Sequence, residues 1–243
     1  MRTLDYAAIA LVMVASVCVE DLLSPSAQRF YADDRDLSYP NLPSVIPTWL
    51  SIVISMVTPV VAMLAALRMR GRKEETDATL TLFGMNIALT MIITIGLKTT
   101  VGRPRPHMLA RCELGEKVLR ATTTLFSMQD CMQPHRLHDA FRSFPSGHSS
   151  LAFSGLGFLA LFAAKEAGLM HSPLHVYKVF LAMAPLLLAG FIAASRVSDY
   201  HHHPTDVLFG SGVGLLTAGY SWYMLQREMA GPQVVNQLDE ESM

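Results

Sequence analysis

Apolar residues along this chain gather into six blocks, at about 6–23, 48–67, 78–97, 149–165, 177–194 and 207–225, separated by stretches rich in charge and proline. Each block is close to the ~20 residues a helix needs to cross the hydrocarbon core of a bilayer. Backbone groups cannot stay unpaired in lipid, and the alternating pattern of a membrane barrel is absent, so the blocks predict helices. The expected fold class is all-α: an integral membrane protein with six transmembrane helices, forming one membrane-embedded domain over 1–243. Between the blocks lie an acidic loop with prolines (24–47), a short basic loop (68–77), a polar segment of some fifty residues (98–148) and two short connections. Residues 226–243, which end in Asp239, Glu240 and Glu241 before a final Ser-Met, read as a mobile, solvated tail.

Composition agrees with a bilayer as solvent, since 51% of residues are hydrophobic and only 16% charged. A net charge of -1, with no long basic run and no zinc-finger spacing, argues against nucleic acid as a partner. The first block is followed by Glu20 and Asp21, where a cleaved signal peptide would need small residues, so it reads as a retained span. Arg68, Arg70, Arg72 and Lys73 crowd the 68–77 loop and favour the cytoplasmic side for it, while Asp33, Asp34 and Asp36 make 24–47 look external. Both termini are then expected in the cytoplasm.

Several features have structural explanations. Trp49, Tyr220, Trp222 and Tyr223 sit near span ends, where aromatic belts form. Gly210, Gly212 and Gly214 lack the rest of a dinucleotide fingerprint and read as close helix packing. Cys18 lies in the first span, whereas Cys112 and Cys131 share one loop, and whether those two are bridged or free is open at this stage.

Three polar clusters stand at span ends. Lys98, Arg103 and Arg105 follow the third block; Pro145, Ser146, Gly147 and His148 precede the fourth; Ser195 and Arg196 close the fifth, while His201, His202, His203 and Asp206 open the sixth. Spans alternate in direction, so the end of three, the start of four, the end of five and the start of six share one membrane face. Lys98, Arg105 and Arg196 then form a convergent set of cations suited to phosphoryl oxygens. Gly147 lets the backbone approach an anion, and Ser146 with the first amides of the fourth helix offers hydrogen bonds. His202 fits the role of nucleophile, His148 that of general acid and base, and Asp206, four residues after His202, that of a carboxylate orienting its ring.

These residues resemble the signatures of the type 2 phosphatidic acid phosphatases, in particular their lipid phosphate phosphatase branch. The family's patterns are Lys, six residues, Arg-Pro; Pro-Ser-Gly-His; and Ser-Arg, five residues, His, three residues, Asp. Here they read Lys98 to Arg105-Pro106, Pro145 to His148, and Ser195-Arg196 to His202 to Asp206. Six spans and the stretch ending Leu37-Ser38-Tyr39-Pro40 also look like that branch, so the resemblance covers the whole chain. It implies a phosphatase that uses no metal and no other cofactor, with its site facing the lumen or cell exterior of the plasma membrane or an endomembrane. By the same spacing His201 and His203 are neighbours of the nucleophile and Arg103 is auxiliary. One departure is the absence of any Asn-X-Ser/Thr sequon, which animal members commonly carry in the long loop.

Rival readings are a phosphatase of a soluble ester such as a sugar phosphate, a vanadium haloperoxidase, a membrane transporter, and a metal site formed by His148 and the three clustered histidines. Span ends lie at headgroup depth, which favours a lipid phosphate in the bilayer as substrate: phosphatidate, lysophosphatidate, diacylglycerol pyrophosphate or sphingosine 1-phosphate. A homo-oligomer is left open.

Overall fold

A computed structural model of the chain describes residues 3–112, 124–132, 137–169 and 175–241, with side chains as far as 230. The parts of the 98–148 segment at 113–123 and 133–136, and the last two residues of the tail, lie outside the described residues. The chain is mostly helical. Helices α1 (Thr3–Leu22), α2 (Thr48–Met69), α3 (Glu74–Val101), α4 (Gly147–Glu166) and α5 (Val176–Ser198) are long and apolar enough to cross a membrane by length and composition. The sixth block lies in α6 (Pro204–Glu241). That helix continues past the block through Gln226, Arg227, Glu228 and Met229, good helix formers, where the sequence pattern reads as a tail.

α4 is the hub, packing against α2, α3, α5 and α6. Small residues make this possible. A Cβ at Gly210 of α6 would lie 2.6 Å from the Ser146 carbonyl oxygen, and one at Gly214 would lie 2.7 Å from the Ser154 amide nitrogen, so α6 can approach α4 only because both are glycine. Gly212 meets nothing within 4 Å, so two of the three glycines read as packing residues carry that role. Met63, Leu67, Phe83, Ile87, Phe158 and Leu225 fill the space among α2, α3, α4 and α6. One polar cluster inside the bundle is paired: Asn86 donates to the Ser154 carbonyl at 3.0 Å, and Thr90 bonds the hydroxyls of Ser154 (2.8 Å) and Thr217 (2.7 Å).

α2 is locally irregular for a readable reason. Pro59 has no N–H to give the carbonyl of Ser55, and the helix widens into a π turn over Val53–Val57 just before it. A Cβ at Gly155 of α4 would overlap that Ser55 carbonyl, so the widened turn lies directly on a glycine. At the opposite end of the bundle Glu166 of α4 binds Arg72 at 2.6 Å and Arg70 at 2.9 Å, tying the basic 68–77 loop to the hub.

The two longest polar intervals form one cap. Phe30–Tyr31 pairs antiparallel with Leu125–Phe126 (β1 and β2), a two-residue ladder that is the exception to an all-α chain among the described residues. Phe30, Leu37, Met108, Phe126, Leu137 and Phe141 bury together beneath it, and Cys112 and Cys131 form a disulfide with Cα atoms 4.9 Å apart. α3 ends at Gly102 in the left-handed region (φ +60), where a Cβ would overlap the Ser26 carbonyl. The chain leaving α1 is therefore laid against the end of α3, with Ser26 N–H donating to Thr99 at 2.9 Å.

Candidate active site

Lys98, Arg105, Gly147, His148, Arg196 and His202 line one cavity of about 400 Å³ at the cap end of the bundle. Each reaches it from a helix end or the turn beside it. Lys98 sits in the last turn of α3, four residues before the Gly102 stop, and Arg105 follows in the turn beyond. Gly147 and His148 occupy the first turn of α4, whose amides have no carbonyl to bond within the helix. A Cβ at Gly147 would lie 3.1 Å from the Lys98 ammonium, so glycine lets that cation settle over the start of α4.

His202 is 3% exposed. Its Nδ1 lies 2.6 Å from the carbonyl oxygen of Ser143. A carbonyl only accepts, so Nδ1 carries the proton and Nε2 is left with its lone pair. Burial, and then the charges of Arg105 and Lys98, hold this imidazole well below its ordinary value near 6.5 and keep it neutral.

Asp206 differs from the sequence expectation. Its carboxylate is 4.0 Å from His202 Nδ1, beyond hydrogen-bond reach. It accepts instead from Arg103 (2.6 Å), from the Ser143 hydroxyl (2.6 Å) and from the His203 backbone N–H (3.0 Å). The cause is local: with Pro204 as the first helical residue, Asp206 is third, where a carboxylate reaches back to the capping residue's N–H. Asp206 therefore supports His202 at one remove, through Ser143. Arg103 is the partner of this buried carboxylate, which accounts for its place outside the recurrent spacing.

Ser146 also differs. It caps α4, accepting from the hydroxyl of Ser149 at 3.0 Å, and its N–H donates to the Asp206 carbonyl at 3.0 Å. It is fully buried and is not part of the cavity wall, so it joins the starts of α4 and α6 rather than offering its amide to an anion.

The cations have carboxylate partners that sequence spacing missed. Arg105 donates to Asp139 through Nη2 at 2.5 Å and Nε (to the carbonyl) at 2.9 Å. Arg196, 1% exposed, is ion-paired with Asp199 one helical turn on and also reaches the Ile46 carbonyl at 3.3 Å. Lys98 lies 3.6 Å from Glu20 at the end of α1. The i, i+3 spacing of Arg196 and Asp199 was a readable signal. Asp139 and Glu20 had none, being joined to their partners only by the docking of cap and α1. His148 Nε2 sits 3.2 Å from both the Ile46 carbonyl and Arg196 Nη1.

The three clustered histidines diverge. His203 Nε2 bonds the Pro104 carbonyl at 3.2 Å, away from the cavity. His201 lines the cavity, with Nδ1 3.0 Å from the Asp199 carbonyl and its ring edge-to-face with buried His107, 5.0 Å between centroids. Burial lowers His107 to about 4, and burial with Arg105 and Arg196 lowers His201 to about 4. As a whole the arrangement offers an anion a pocket of three cations and helix-end amides, beside one unprotonated imidazole nitrogen and a second imidazole.

A family profile described as PAP2 superfamily matches residues 79–230, a range that contains every residue of the three clusters. The chain is 31% identical over 232 residues to a Schizosaccharomyces pombe protein named probable diacylglycerol pyrophosphate phosphatase 1, an alignment covering 94% of this chain and 81% of that protein. It is 30% identical to lipid phosphate phosphatase 2 of Arabidopsis thaliana, covering 88% of this chain and 74% of the relative. It is 34% identical to diacylglycerol pyrophosphate phosphatase 1 of Saccharomyces cerevisiae, covering 81% and 70%. No solved structure matches the chain.

Proposed function

Because the chain belongs to the PAP2 superfamily, we propose that it is a membrane-embedded phosphatase of lipid phosphates. Its substrates are of the class of phosphatidate, lysophosphatidate, diacylglycerol pyrophosphate and sphingosine 1-phosphate, in keeping with the names of the relatives. The observation that carries this reading is the single cavity shared by Lys98, Arg105, Arg196, His148 and His202.

In the proposed reaction Lys98, Arg105 and Arg196 bind the phosphoryl oxygens, aided by the first amides of α4, and the anion displaces their present contacts with Glu20, Asp139 and Asp199. Nε2 of His202 attacks phosphorus; an N–P bond forms as the ester P–O bond breaks, and His148 gives its proton to the departing alkoxide. His148 then takes a proton from water, whose oxygen bonds to phosphorus as the N–P bond breaks. The imidazolium formed on attack is held through Nδ1 by the Ser143 carbonyl, whose residue is braced by Asp206. Charge neutralisation comes from three side-chain cations, so the scheme calls on no metal.

The topology proposed with this function has six spans, α6 providing the sixth through 207–225. The basic 68–77 loop and both termini lie in the cytoplasm, which puts the cavity on the luminal or extracellular side.

The test is release of inorganic phosphate from phosphatidate by the purified protein in detergent. Wild-type protein turns it over, and His202→Ala falls to background. A clear preference for glucose 6-phosphate, or near-normal release by His202→Ala, would overturn the reading.

A further inference from the structure

The cavity does not stop at the phosphoryl site. Its wall continues along α3 through Ile95, Thr94 and Met91 to Thr90, which lies eight residues, or about 12 Å, below Lys98 in the helix. Across from these, α2 contributes Ser51, Ile52 and Met56. Helices run from the cap end into the bundle, so this lower half lies deeper in the membrane than the cations. Hydroxyls come first, at Ser51, Thr94 and Ser150, methionines follow, at Met56 and Met91, and the floor is Thr90, whose hydroxyl is already bonded to Ser154 and Thr217.

Ser51 is the telling residue. It is 2% exposed, it lines the cavity, and its Oγ has no hydrogen-bond partner among the described residues. Thr94 and Ser150, by contrast, bond to each other at 3.0 Å. A buried hydroxyl without a partner costs free energy in the empty protein, and a ligand acceptor placed beside it removes that cost.

We infer that the lower half of the cavity is the subsite for the acylglycerol end of the substrate, with Ser51 donating to a glycerol ester carbonyl and Met56 and Met91 flanking the first methylenes of a chain. This rests on the reading of the protein as a lipid phosphate phosphatase and assigns its leaving-group pocket. Above the Thr90 floor, whose hydroxyl is engaged within the bundle, the order of chemistry down the shaft, cations, then free and paired hydroxyls, then thioethers, matches the order of phosphate, ester and chain in a phosphoglyceride anchored in the same leaflet. Methionine suits such a wall because its unbranched, polarizable side chain adapts to chains of differing shape.

The test compares kcat/KM for dioctanoyl phosphatidate with that for p-nitrophenyl phosphate, which carries neither ester nor chain. Ser51→Ala removes no bond from the unliganded fold and should lower the phosphatidate-to-nitrophenyl ratio about three- to tenfold, the range of one neutral hydrogen bond. Met91→Trp, which fills the deep end, should lower the ratio more than tenfold. Ratios within twofold of wild type for Ser51→Ala, whether or not Met91→Trp folds, would overturn the subsite. Wild-type protein that hydrolyses the nitrophenyl ester but not phosphatidate would instead overturn the lipid reading, and the subsite with it.

Discussion

The ring of His202 is held by the backbone of Ser143, whose carbonyl oxygen lies 2.6 Å from Nδ1, while the hydroxyl of the same serine donates to Asp206. The aspartate that spacing nominates as the orienting group thus reaches the His202 ring through an intermediary. A backbone carbonyl fixes the tautomer as a carboxylate would, while the Asp206 carboxylate stands 4.0 Å from the same nitrogen.

This relationship separates two substitutions. Ser143→Ala keeps the carbonyl and loses only the brace, so kcat should fall less than tenfold. Asp206→Asn disturbs three contacts, those to Arg103, Ser143 and the His203 amide, and should lower both the melting temperature and kcat. The stability loss should be about 1–3 kcal/mol, the range for hydrogen bonds to a charged group. Detergent-solubilised protein assayed for both quantities checks this. A loss of activity in Asp206→Asn with an unchanged melting temperature would mean that the carboxylate acts on His202 directly.

Stability should depend on pH through two histidines at the cap end of the bundle. His107 and His201 are lowered to about 4 in the fold, against an ordinary value near 6.5 that the unfolded chain regains. Between those values the unfolded chain binds more protons, so stability present above pH 6.5 is lost as the pH falls towards 4. Thermal melts from pH 7.5 to 4 should show this decline, and His107→Asn, which keeps a donor for the Tyr200 carbonyl at the 2.9 Å site, should flatten it. An equally steep decline in that variant would remove His107 from the account.

Helix contact should be sensitive at Gly214. A Cβ there would press on the backbone of Ser154 in α4, and because backbone cannot rotate away, Gly214→Ala should cost about 1–3 kcal/mol. Gly212→Ala, which meets nothing within 4 Å, should be close to neutral. Melting temperatures of the two variants side by side give the comparison; equal shifts would show that the glycines act through propensity alone.

The disulfide of the cap gives a count of thiols. Protein unfolded in detergent without reductant should react with maleimide at one cysteine, Cys18, and at all three after reduction. Three reactive thiols before reduction would show Cys112 and Cys131 to be free.

Much of this was legible beforehand. Apolar blocks mark helices because lipid leaves the backbone no other partner, and the alternation of span direction brings the clusters of α3, α4, α5 and α6 to one end. Spacing from Arg196 picks His202 out of three adjacent histidines, whose contacts in the fold diverge. Illegible were the contacts made by backbone and by distant docking. A carbonyl such as that of Ser143 has no signature of residue type, Asp139 meets Arg105 only because the cap folds back, and Glu20 meets Lys98 only because α1 leans on α3. The contacts of Ser146 and Asp206 were also hidden, because polar residues at a helix start serve equally well as caps and as ligands.

The widened turn of α2 is keyed to α4 at one point, the Ser55 carbonyl left open by Pro59 and seated on Gly155. Ser51 and Met56 lie to either side of that point on one helix, and His148 lies two turns from it on the other. Re-engineering the protein for other lipids by exchanging α2 would therefore have to carry Pro59 and retain Gly155, because a slide of one turn would move the proposed chain-binding wall about 5 Å past His148, the proposed proton donor.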